Sequence, residues 1–529
     1  MRDDSNGFPQ SCRLDGKQTQ RCLARRGFEK HLKHGSNQTA DGFSRWHARL
    51  LVASKKAAKR VIATIAPPKA IEGYVSSSSV ASGDVLTLHV RALRSDPYFK
   101  VQFVRLGIEE TTVAAIDAIQ TSFVPTGRRD DALLAAQGCD WPAAFTTIVP
   151  ASWKSGVYYA RLSGYRDRQM PSGHSCALVF VVRAAEPGST SSILVHVSDS
   201  TYQAYNAWGG VSSYTSPLGP RCSYSRPYIN LVKQVNPWIL KFVRYLEAQG
   251  ITAEFCSSHD LDVRSSLVRN YALFLSVGHD EYWTKAMLDS VEGFIARGGN
   301  ACFFSGDVAV WQMRFEDNGR TFVCYKDAAA DPIDDPSLKT THWFRLGRPS
   351  NAMVGAGYQY GAGWWSNFPT LRRPERRRGY KVQFADHWVY ERTRLADGAT
   401  FGAGSNAETT IIGYETDAAA YEIIDGVAVP TGVDGTPKDE VILGYCDLSD
   451  WSYTNGRPGY ATMGIYERGR SVPGAGTVFT AGTINWVGQL TPKFAGGPVD
   501  VITQNLIYAL SRETAAPEAQ QRLRTASGQ

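Results

Sequence analysis

The densest group of ionisable side chains in the sequence is the segment Gly278-His-Asp-Glu-Tyr-Trp283. His279 and Glu281 could serve there as metal ligands, or as the acid and the base of a hydrolytic reaction. The same residues also fit the start of a helix, where Asp280 caps the backbone, Glu281 faces the positive end of the dipole and His279 bonds locally. The residue types alone leave both interpretations open.

Two sequence signatures of familiar hydrolases are missing from the chain. The helical His-Glu-x-x-His motif of zinc proteases does not occur. No predicted strand is followed by the Gly-x-Ser-x-Gly or Gly-x-Cys-x-Gly turn that presents a nucleophile. Zinc proteolysis therefore has no support, and a glycosidase or an esterase with paired acids is a weak alternative.

Aromatic residues are concentrated between positions 202 and 228. Tyr202 and Tyr205 are typical of residues that pack against the end of a sheet, but with their aromatic neighbours they could also form a platform on which sugars stack. Glu415 and Asp417 are isolated acids much further along the chain, and such residues are usually exposed to solvent. Neither group assigns a function by itself.

Four apolar segments alternate with helical segments and must position these side chains. The predicted strands are 193–197, 251–256, 272–277 and 301–304. Alternation of this kind predicts a parallel sheet covered by helices on both faces. Ligands of such sheets bind beyond the carboxyl ends of the strands, near the point where the strand order reverses. The loops that begin at Ser198, Gly278 and Ser305 should therefore meet in one crevice.

The predicted fold is an N-terminal β-sandwich followed by a flavodoxin-like or class I glutaminase-like α/β domain. Short alternating strands between turn residues predict the sandwich at 67–186. The α/β domain is predicted at 190–512, with a β-rich insertion at 335–470. Residues 1–66 form a basic arm that is predicted to be largely disordered, and 513–529 form a solvent-exposed tail.

Charge is distributed unevenly along the chain. The formal net charge is +7, but the first 60 residues hold 14 Lys and Arg against 5 Asp and Glu, which leaves 43 basic and 45 acidic residues in the remaining 469. A nearly neutral body disfavours nucleic-acid binding, because that function needs a basic face on the folded domain. No apolar run approaches the ~18 residues that span a bilayer, so no membrane partner is expected.

The cysteine pattern bears on the cellular compartment. Nine cysteines are scattered without Cys-x-x-Cys spacing, which indicates neither a disulfide framework nor a zinc site. The basic arm also lacks the apolar stretch of a secretory signal. We therefore expect a cytoplasmic protein.

Six separated motifs, in this order along the chain, resemble the large (beta) subunit of the N,N-dimethylformamidase family. The resemblance covers roughly residues 70–510. The motifs are Ser200-Thr-Tyr-Gln-Ala-Tyr-Asn-Ala-Trp-Gly-Gly210, Val277-Gly-His-Asp-Glu-Tyr-Trp283, Phe303-Phe-Ser-Gly306, Arg320-Thr-Phe-Val-Cys-Tyr-Lys-Asp327, Gly413-Tyr-Glu-Thr-Asp417 and Thr480-Ala-Gly-Thr-Ile-Asn-Trp486.

The resemblance implies a hydrolase that cleaves the C–N bond of a small amide with one Fe(III) ion, held by two tyrosinates and a glutamate. The glutamate corresponds to Glu281, and one tyrosine corresponds to Tyr205 of the Gln-Ala-Tyr-Asn motif. The second tyrosine is expected in Ser155-Gly-Val-Tyr-Tyr159, where Tyr158 is favoured. Tyr159 is a close competitor, because alternation along a strand turns one of the two away from the site.

Three further residues are implied as catalytic groups, namely His279, Glu415 and Asp307. His279 and Glu415 match residues that line the family's pocket, and either could accept a proton from water and return it to the leaving amine. Asp307 stands where the family tends to have Asn, so it adds negative charge beside the expected metal.

The resemblance also implies partners, and a non-enzymatic alternative stays open beside it. A small accessory subunit and a homo-oligomer are implied, in addition to the small amide substrate. The alternative is a non-catalytic carbohydrate- or ligand-binding protein that uses its aromatic loops, with Trp208, Trp364, Trp365 and Tyr228 as the contact residues.

Overall fold

The chain has a mixed α/β fold in which strands outnumber helices. A computed structural model describes residues 70–121, 128–214, 219–229, 235–363, 371–412, 415–451, 459–467, 473–493 and 495–511. The predicted arm 1–66, the predicted tail 513–529 and the Trp364-Trp365 pair lie outside the described residues. The domain boundaries proposed from the sequence stay predictions.

The strands of the described residues are numbered here in chain order. They are β1 (Ile71–Val75), β2 (Ser79–Val80), β3 (Val85–Ala92), β4 (Tyr98–Arg105), β5 (Thr111–Gln120), β6 (Ala143–Ile148), β7 (Gly156–Tyr165), β8 (Pro171–Val182), β9 (Ile193–Val197), β10 (Arg221–Ser223), β11 (Glu254–Ser257), β12 (Leu273–His279), β13 (Tyr282–Trp283), β14 (Asn300–Gly306), β15 (Trp311–Gln312), β16 (Arg314–Glu316), β17 (Thr321–Val323), β18 (Gly357–Ala362), β19 (Tyr380–Val382), β20 (Thr400–Phe401), β21 (Thr416–Ala418), β22 (Tyr421–Ile424), β23 (Val427–Pro430), β24 (Val441–Asp447), β25 (Tyr460–Glu467) and β26 (Thr477–Thr480).

The α-helices of the same residues are fewer and mostly short. They are α1 (Arg128–Gln137), α2 (Asp199–Tyr205), α3 (Lys241–Ala248), α4 (Ser258–Val263), α5 (Lys285–Ala296), α6 (Asn351–Val354) and α7 (Pro498–Ser511). A π-helical turn, Asn236–Leu240, runs directly into α3. No helix among the described residues is long and apolar enough to cross a membrane.

Two sheets formed by the first eight strands share one apolar core. One sheet has the order β1-β3-β6 and the other the order β2-β8-β7-β4-β5. Apart from the parallel pair of β2 and β8, neighbouring strands are antiparallel. In β3, Leu86, Leu88 and Val90 alternate with more exposed residues and point into this core. Alternation of this kind is typical of a strand with one buried face.

A nine-stranded sheet forms the second part of the described chain. Its order is β11-β9-β12-β14-β26-β25-β24-β19-β20. The first five strands in this order are parallel. When they are numbered 1 to 5 along the chain, their order across the sheet is 2-1-3-4-5. The strands predicted from apolar runs at 193–197, 272–277 and 301–304 are present here as β9, β12 and β14.

Helices cover both faces of the parallel strands. Alternate side chains of β9 enter two different apolar clusters, Ile193, Val195 and Val197 on one face and Leu194 on the other. The first cluster also contains the buried residues of α3 and α7, and the second contains those of α5. Burial on both faces explains why these strands read as unbroken apolar runs.

The predicted insertion at 335–470 partly continues the main sheet. Strands β19, β20, β24 and β25 extend it in antiparallel fashion beyond β26. Smaller pairs, β18 with β21 and β22 with β23, lie outside it. An uncovered sheet edge leaves backbone groups unpaired, and the added strands satisfy those of β26.

Candidate metal centre

The carboxyl ends of two central parallel strands bring the candidate residues together. Strand β12 ends at His279 and β14 ends at Gly306, and these two residues are partners in the parallel register. Asp307 therefore follows β14 directly beside the His279-Asp-Glu281 segment. Glu415 lies at the same place and is the residue directly before β21. Thr416, the first residue of β21, pairs with Thr483 in the segment after β26.

His279 is surrounded by three carboxylates. Its Nε2 atom lies 3.3 Å from Oε2 of Glu281, 3.6 Å from Oε2 of Glu415 and 3.7 Å from Oδ2 of Asp307. His279, Asp307 and Glu415 each offer one potential ligand atom, and these three atoms lie within 4.8 Å of one another. All four side chains are buried. Groups of this type at this spacing can hold a metal ion.

Several polar atoms in this cluster have no hydrogen-bond partner within the described part of the chain. They are both ring nitrogens of His279, Oδ1 of Asp307, Oε2 of Glu415 and Oδ1 of Asp417. Buried polar atoms in folded proteins are nearly always paired. Five such atoms in one place indicate that the cluster is built to bind a further polar or charged group.

Burial and mutual repulsion set the ionisation of the cluster. Burial lowers the pKa of His279, but the charges of Glu415, Asp307 and Glu281 outweigh it and raise the pKa well above its ordinary value. Burial also raises the pKa of Glu415 far above its usual range, and the charges of Asp307 and Glu281 add to that effect. A cation bound among these groups would relieve this repulsion.

Glu281 is held by three donors from different segments. The hydroxyl of Tyr205 donates to Oε2 over 2.9 Å, and the hydroxyl of Tyr214 donates to Oε1 over 2.6 Å. Nε1 of Trp311 also donates to Oε1 over 2.9 Å. The rings of Tyr205 and Tyr214 stack with centroids 4.4 Å apart. Two phenol hydroxyls therefore contact the same carboxylate, one at each of its oxygens.

The half-buried ammonium group of Lys326 and the neutral state of the phenols complete the electrostatics of the site. Nζ of Lys326 lies 3.4 Å from the ring centroid of Tyr214. Burial favours the neutral acid at Glu281, but His279 and Lys326 outweigh it and lower the pKa of Glu281 to about 2. Burial and the charge of Glu281 raise the pKa of Tyr205 well above 10. A phenol in this site stays neutral unless a cation lowers its pKa.

Five of the six residues singled out from the sequence meet in this centre, and Tyr158 does not. Its hydroxyl donates to the carbonyl of Lys154 over 2.7 Å, and its ring stacks on Trp153 and Phe180 between the two N-terminal sheets. Neighbouring side chains of β7 point to opposite faces of the sheet. The side chain of Tyr158 therefore lies in that core, and the side chain of Tyr159 lies in the apolar cluster that also contains residues of β9. Tyr158 therefore has a structural environment that explains its burial without a metal.

Sequence reasoning missed Tyr214, Trp311 and Lys326 as members of the site. Tyr214 lies in a loop and is 43 % exposed. Its only sequence signal was its place among the aromatic residues after position 202. Lys326 lies in the Arg320–Asp327 motif, whose position in the resemblance was a usable signal. Trp311 carried no signal at all.

The donor set suits a hard metal cation. Phenol and carboxylate oxygens with one imidazole nitrogen favour ions such as iron over metals that prefer thiolates. Among the described His, Cys, Asp and Glu residues, only His279, Asp307 and Glu415 form a group that could hold a metal ion. No described cysteine belongs to this group. The residues present thus fit an iron ion.

Comparison with known proteins identifies the family to which these residues belong. Residues 105–498 match the family described as N,N-dimethylformamidase beta subunit-like, C-terminal. The N,N-dimethylformamidase beta subunit of Alcaligenes sp is 21% identical over 441 residues, which is 72% of this chain and 55% of the relative. The beta subunit of Paracoccus aminophilus is 21% identical over 442 residues, with the same shares covered. The chain spans about half the length of these curated relatives.

Solved structures were matched as well, and one of them is described here. It is a ThuA-like protein from Parabacteroides merdae, 11% identical, with 61% of this chain and 91% of that chain covered and a TM-score of 0.24.

Proposed function

Because the chain belongs to the N,N-dimethylformamidase beta subunit-like family, we propose that it is a metal-dependent hydrolase that cleaves the C–N bond of a small amide. The observation that carries the proposal is the buried cluster of His279, Asp307 and Glu415 beside Glu281, with its unpartnered polar atoms. The relatives named as dimethylformamidase subunits support the hydrolytic class at low identity. The amide itself is an inference from those names.

The proposed metal is a single Fe(III) ion held by Tyr205, Glu281 and a second tyrosine. Tyr214 is better suited to this role than Tyr158, because its hydroxyl already contacts the same carboxylate as Tyr205. When bound, the ion would polarise the amide carbonyl and lower the pKa of a water molecule. Lys326 over the ring of Tyr214 favours the phenolate form of that residue.

His279 and Glu415 would manage the protons of the reaction. Nε2 of the imidazole and Oε2 of the carboxyl lie 3.6 Å apart, so a small movement brings them within hydrogen-bond distance. Glu415, ionised once a cation is bound beside it, would take the proton released as water attacks the carbonyl carbon, and the charged His279 would give a proton to the leaving nitrogen. Transfer of a proton from Glu415 to His279 then restores both groups. Asp307, 3.7 Å from the same imidazole nitrogen, holds His279 in its charged form.

The proposal is tested by the colour and the metal content of the purified protein. Iron bound by phenolates gives a visible charge-transfer band, and metal analysis should find about one iron per chain. Tyr205→Phe and Tyr214→Phe should each shift or weaken the band, whereas Tyr158→Phe should leave it unchanged. A panel of small amides then tests the activity, which Glu415→Gln should lower by about 10²-fold or more. Colourless, iron-free protein, or a band lost only in Tyr158→Phe, would overturn the ligand assignment.

The alternative of a sugar-binding protein is weakened by Trp208. Its Nε1 atom donates to Oε2 of Glu72 over 2.9 Å, and the side chain is 4% exposed, so its face is not free to stack on a ligand. Binding of a glycan that is unaffected by Glu281→Ala would favour the alternative. Its absence together with amide hydrolysis would exclude it.

Two further points belong to the proposal. The two N-terminal sheets with their common core are consistent with a β-sandwich, and the 2-1-3-4-5 order of the parallel strands is that of flavodoxin-like folds. The relatives are named as beta subunits, which favours a small accessory subunit for this chain as well. Co-expression with a candidate subunit and size-exclusion chromatography would test both that partner and a homo-oligomer.

A further inference from the structure

A second cavity lies beside the metal centre but shares none of its described residues. It has a volume of about 90 Å³ and is bounded by β8 on one side and by α2 and the segment after β10 on the other. Asp199 and Tyr202 of α2 line it, whereas Tyr205, one turn further along the same helix, contacts Glu281. One short helix therefore serves two different sites.

Asp199 presents a buried carboxylate oxygen to this cavity. The residue is 8% exposed, and its Oδ1 atom accepts a hydrogen bond from the backbone of Ser258 over 2.7 Å. Its Oδ2 atom accepts no hydrogen bond within 3.5 Å from the described residues, although the side chains of Ser78 and Tyr224 lie close to the carboxyl. Burial raises the pKa of this carboxyl, although the Ser258 contact opposes the shift. Nothing in the proposed hydrolytic reaction uses Asp199.

Asp199 forms no ion pair within 4.0 Å in the described part of the chain, although His259 and Arg320 line the same cavity. The charge of His196 lowers the pKa of Asp199 from a distance, but the ring nitrogens of His196 are engaged with Asp280 and Ser258. The Nε atom of Arg320 instead donates to the carbonyl of Asp317 over 3.3 Å. A buried carboxylate without a cation in direct contact among the described residues is suited to a cationic ligand.

The remaining walls are aromatic. Tyr202, Tyr224 and Tyr228 line the cavity, and the hydroxyl of Tyr224 lies beside the Asp199 carboxyl without a hydrogen bond within 3.5 Å to the described residues. Aromatic faces attract organic cations, and a carboxylate beside them accepts the N–H groups of such a cation. The size of the cavity restricts the ligand to a few heavy atoms.

We propose that this cavity binds a small alkylammonium ion, whose N–H groups donate to Oδ2 of Asp199 and whose methyl groups pack against the three tyrosine rings. Hydrolysis of an amide releases an amine, so the ligand would be a product of the neighbouring reaction. That link rests on the proposed function, whereas the site itself rests on the cavity and on Asp199.

The test is calorimetric titration of the full-length protein, with the metal content it has as purified, against dimethylammonium chloride, with sodium chloride as the salt control. The wild-type chain should bind one ion per chain. Asp199→Asn, which keeps the shape of the side chain, should weaken binding at least about tenfold, and Tyr224→Phe should weaken it a few-fold. Ala177→Leu fills the cavity from β8 without touching Asp199, and it should abolish binding while the circular dichroism spectrum stays unchanged.

A metal-centre variant separates this proposal from the proposed function. Glu415→Gln should bind dimethylammonium as the wild type does, even though it is expected to lose hydrolysis. Wild-type protein that does not bind the ion at millimolar concentration would overturn the proposal. So would unchanged binding by both Asp199→Asn and Ala177→Leu, or binding that only Glu415→Gln removes.

Discussion

At the scale of single residues, charge balance determines what the metal centre can hold. Glu281 keeps its negative charge, with a pKa of about 2, because His279 and Lys326 outweigh the effect of burial. Glu415 and Asp417 have pKa values well above their usual range, because burial and neighbouring carboxylates disfavour ionisation. The positive charges of His279 and Lys326 are too few for all the buried carboxyls of this cluster to be ionised at the same time. A bound metal cation would supply the missing positive charge.

The backbone at Asp307 explains why an aspartate can stand where the family tends to have Asn. Its φ angle is +51°, in the left-handed region. Asp and Asn tolerate that region better than other non-glycine residues. The exchange therefore preserves the turn after β14 and changes only the charge beside His279.

Asp307→Asn should thus be a change of charge rather than of fold. Removing one of the carboxylates around His279 should weaken the affinity for iron by about 10- to 100-fold, which is the usual effect of losing a group that supports a metal. Competition with a chelator of known affinity measures this change. Asp317→Asn is the matched control, because Asp317 has a φ angle of +53° but is exposed and does not belong to the cluster. Equal iron affinity in Asp307→Asn and the wild type would contradict the role given to Asp307.

At the scale of elements, the parallel strands were predictable and the contacts made by loops were not. Strand β9 coincides with the predicted segment 193–197, because an unbroken apolar run between polar segments is typical of a strand buried on both faces. The end of β12 then leads to His279, so the crevice follows from the direction of the strands. Tyr214 lies in an irregular loop and contacts Glu281, which is 67 residues further along the chain. No periodic pattern in the sequence predicts such a contact.

The insertion and the second tyrosine illustrate the same limit. That β24 and β25 continue the main sheet depends on pairing with the edge of β26, and register between distant strands is not written in a local pattern. For Tyr158 and Tyr159 the alternation was foreseen, but its phase depends on which face of β7 meets the α/β layer. The structure has Tyr158 in the core between the N-terminal sheets.

Helix α7 contains a buried acid that makes stability depend on pH. Asp500 is 1% exposed and accepts hydrogen bonds from the backbone of Thr491 and Ala495 over 3.3 and 3.2 Å. Burial outweighs these bonds and raises its pKa to about 6. The folded state therefore holds this proton more tightly than the unfolded state, where the pKa is about 3.9. The free energy of unfolding should fall as the pH rises from about 4 to about 6.

Asp500→Asn should remove this part of the pH dependence. The difference in unfolding free energy between wild type and variant should change by about 2 to 3 kcal/mol between pH 4 and pH 7, with the wild type relatively more stable at the acid end. Urea denaturation at several pH values measures it. Asp331→Asn is a suitable control, because hydrogen bonding from Arg314 and Thr340 outweighs burial and holds the pKa of Asp331 at about 2, below this window. A parallel pair of profiles for wild type and Asp500→Asn would show that Asp500 does not titrate as described.

At the scale of the whole molecule, helix α2 connects the two sites. Asp199 and Tyr202 face the cavity, and Tyr205 contacts the metal-centre glutamate. Both sites lie at the carboxyl ends of the parallel strands, where loops are free to vary while the sheet stays constant. A product held at Asp199 would thus lie nearly two helical turns from Tyr205, the residue proposed to bind iron.

The uneven charge of the chain gives the last prediction. Every residue of the candidate metal centre lies between positions 205 and 417, and the apolar clusters of the described residues begin at Ile71. Residues 1–66 carry all of the net positive charge, and the rest of the chain is slightly negative. A variant that lacks residues 1–66 should therefore keep its iron content and its unfolding midpoint, since it retains every described residue of the candidate metal centre and of the apolar clusters.

The same variant should lose its affinity for a cation-exchange column at pH 7, because the charge that remains has the opposite sign. Full-length protein should be retained and should elute as salt screens its charge. Loss of iron, or a midpoint several degrees lower in the shortened chain, would mean that the arm supports the folded body and that the enzyme cannot be treated as residues 67–529 alone. Retention of the shortened chain would mean instead that the body carries a basic face, contrary to its near-neutral composition.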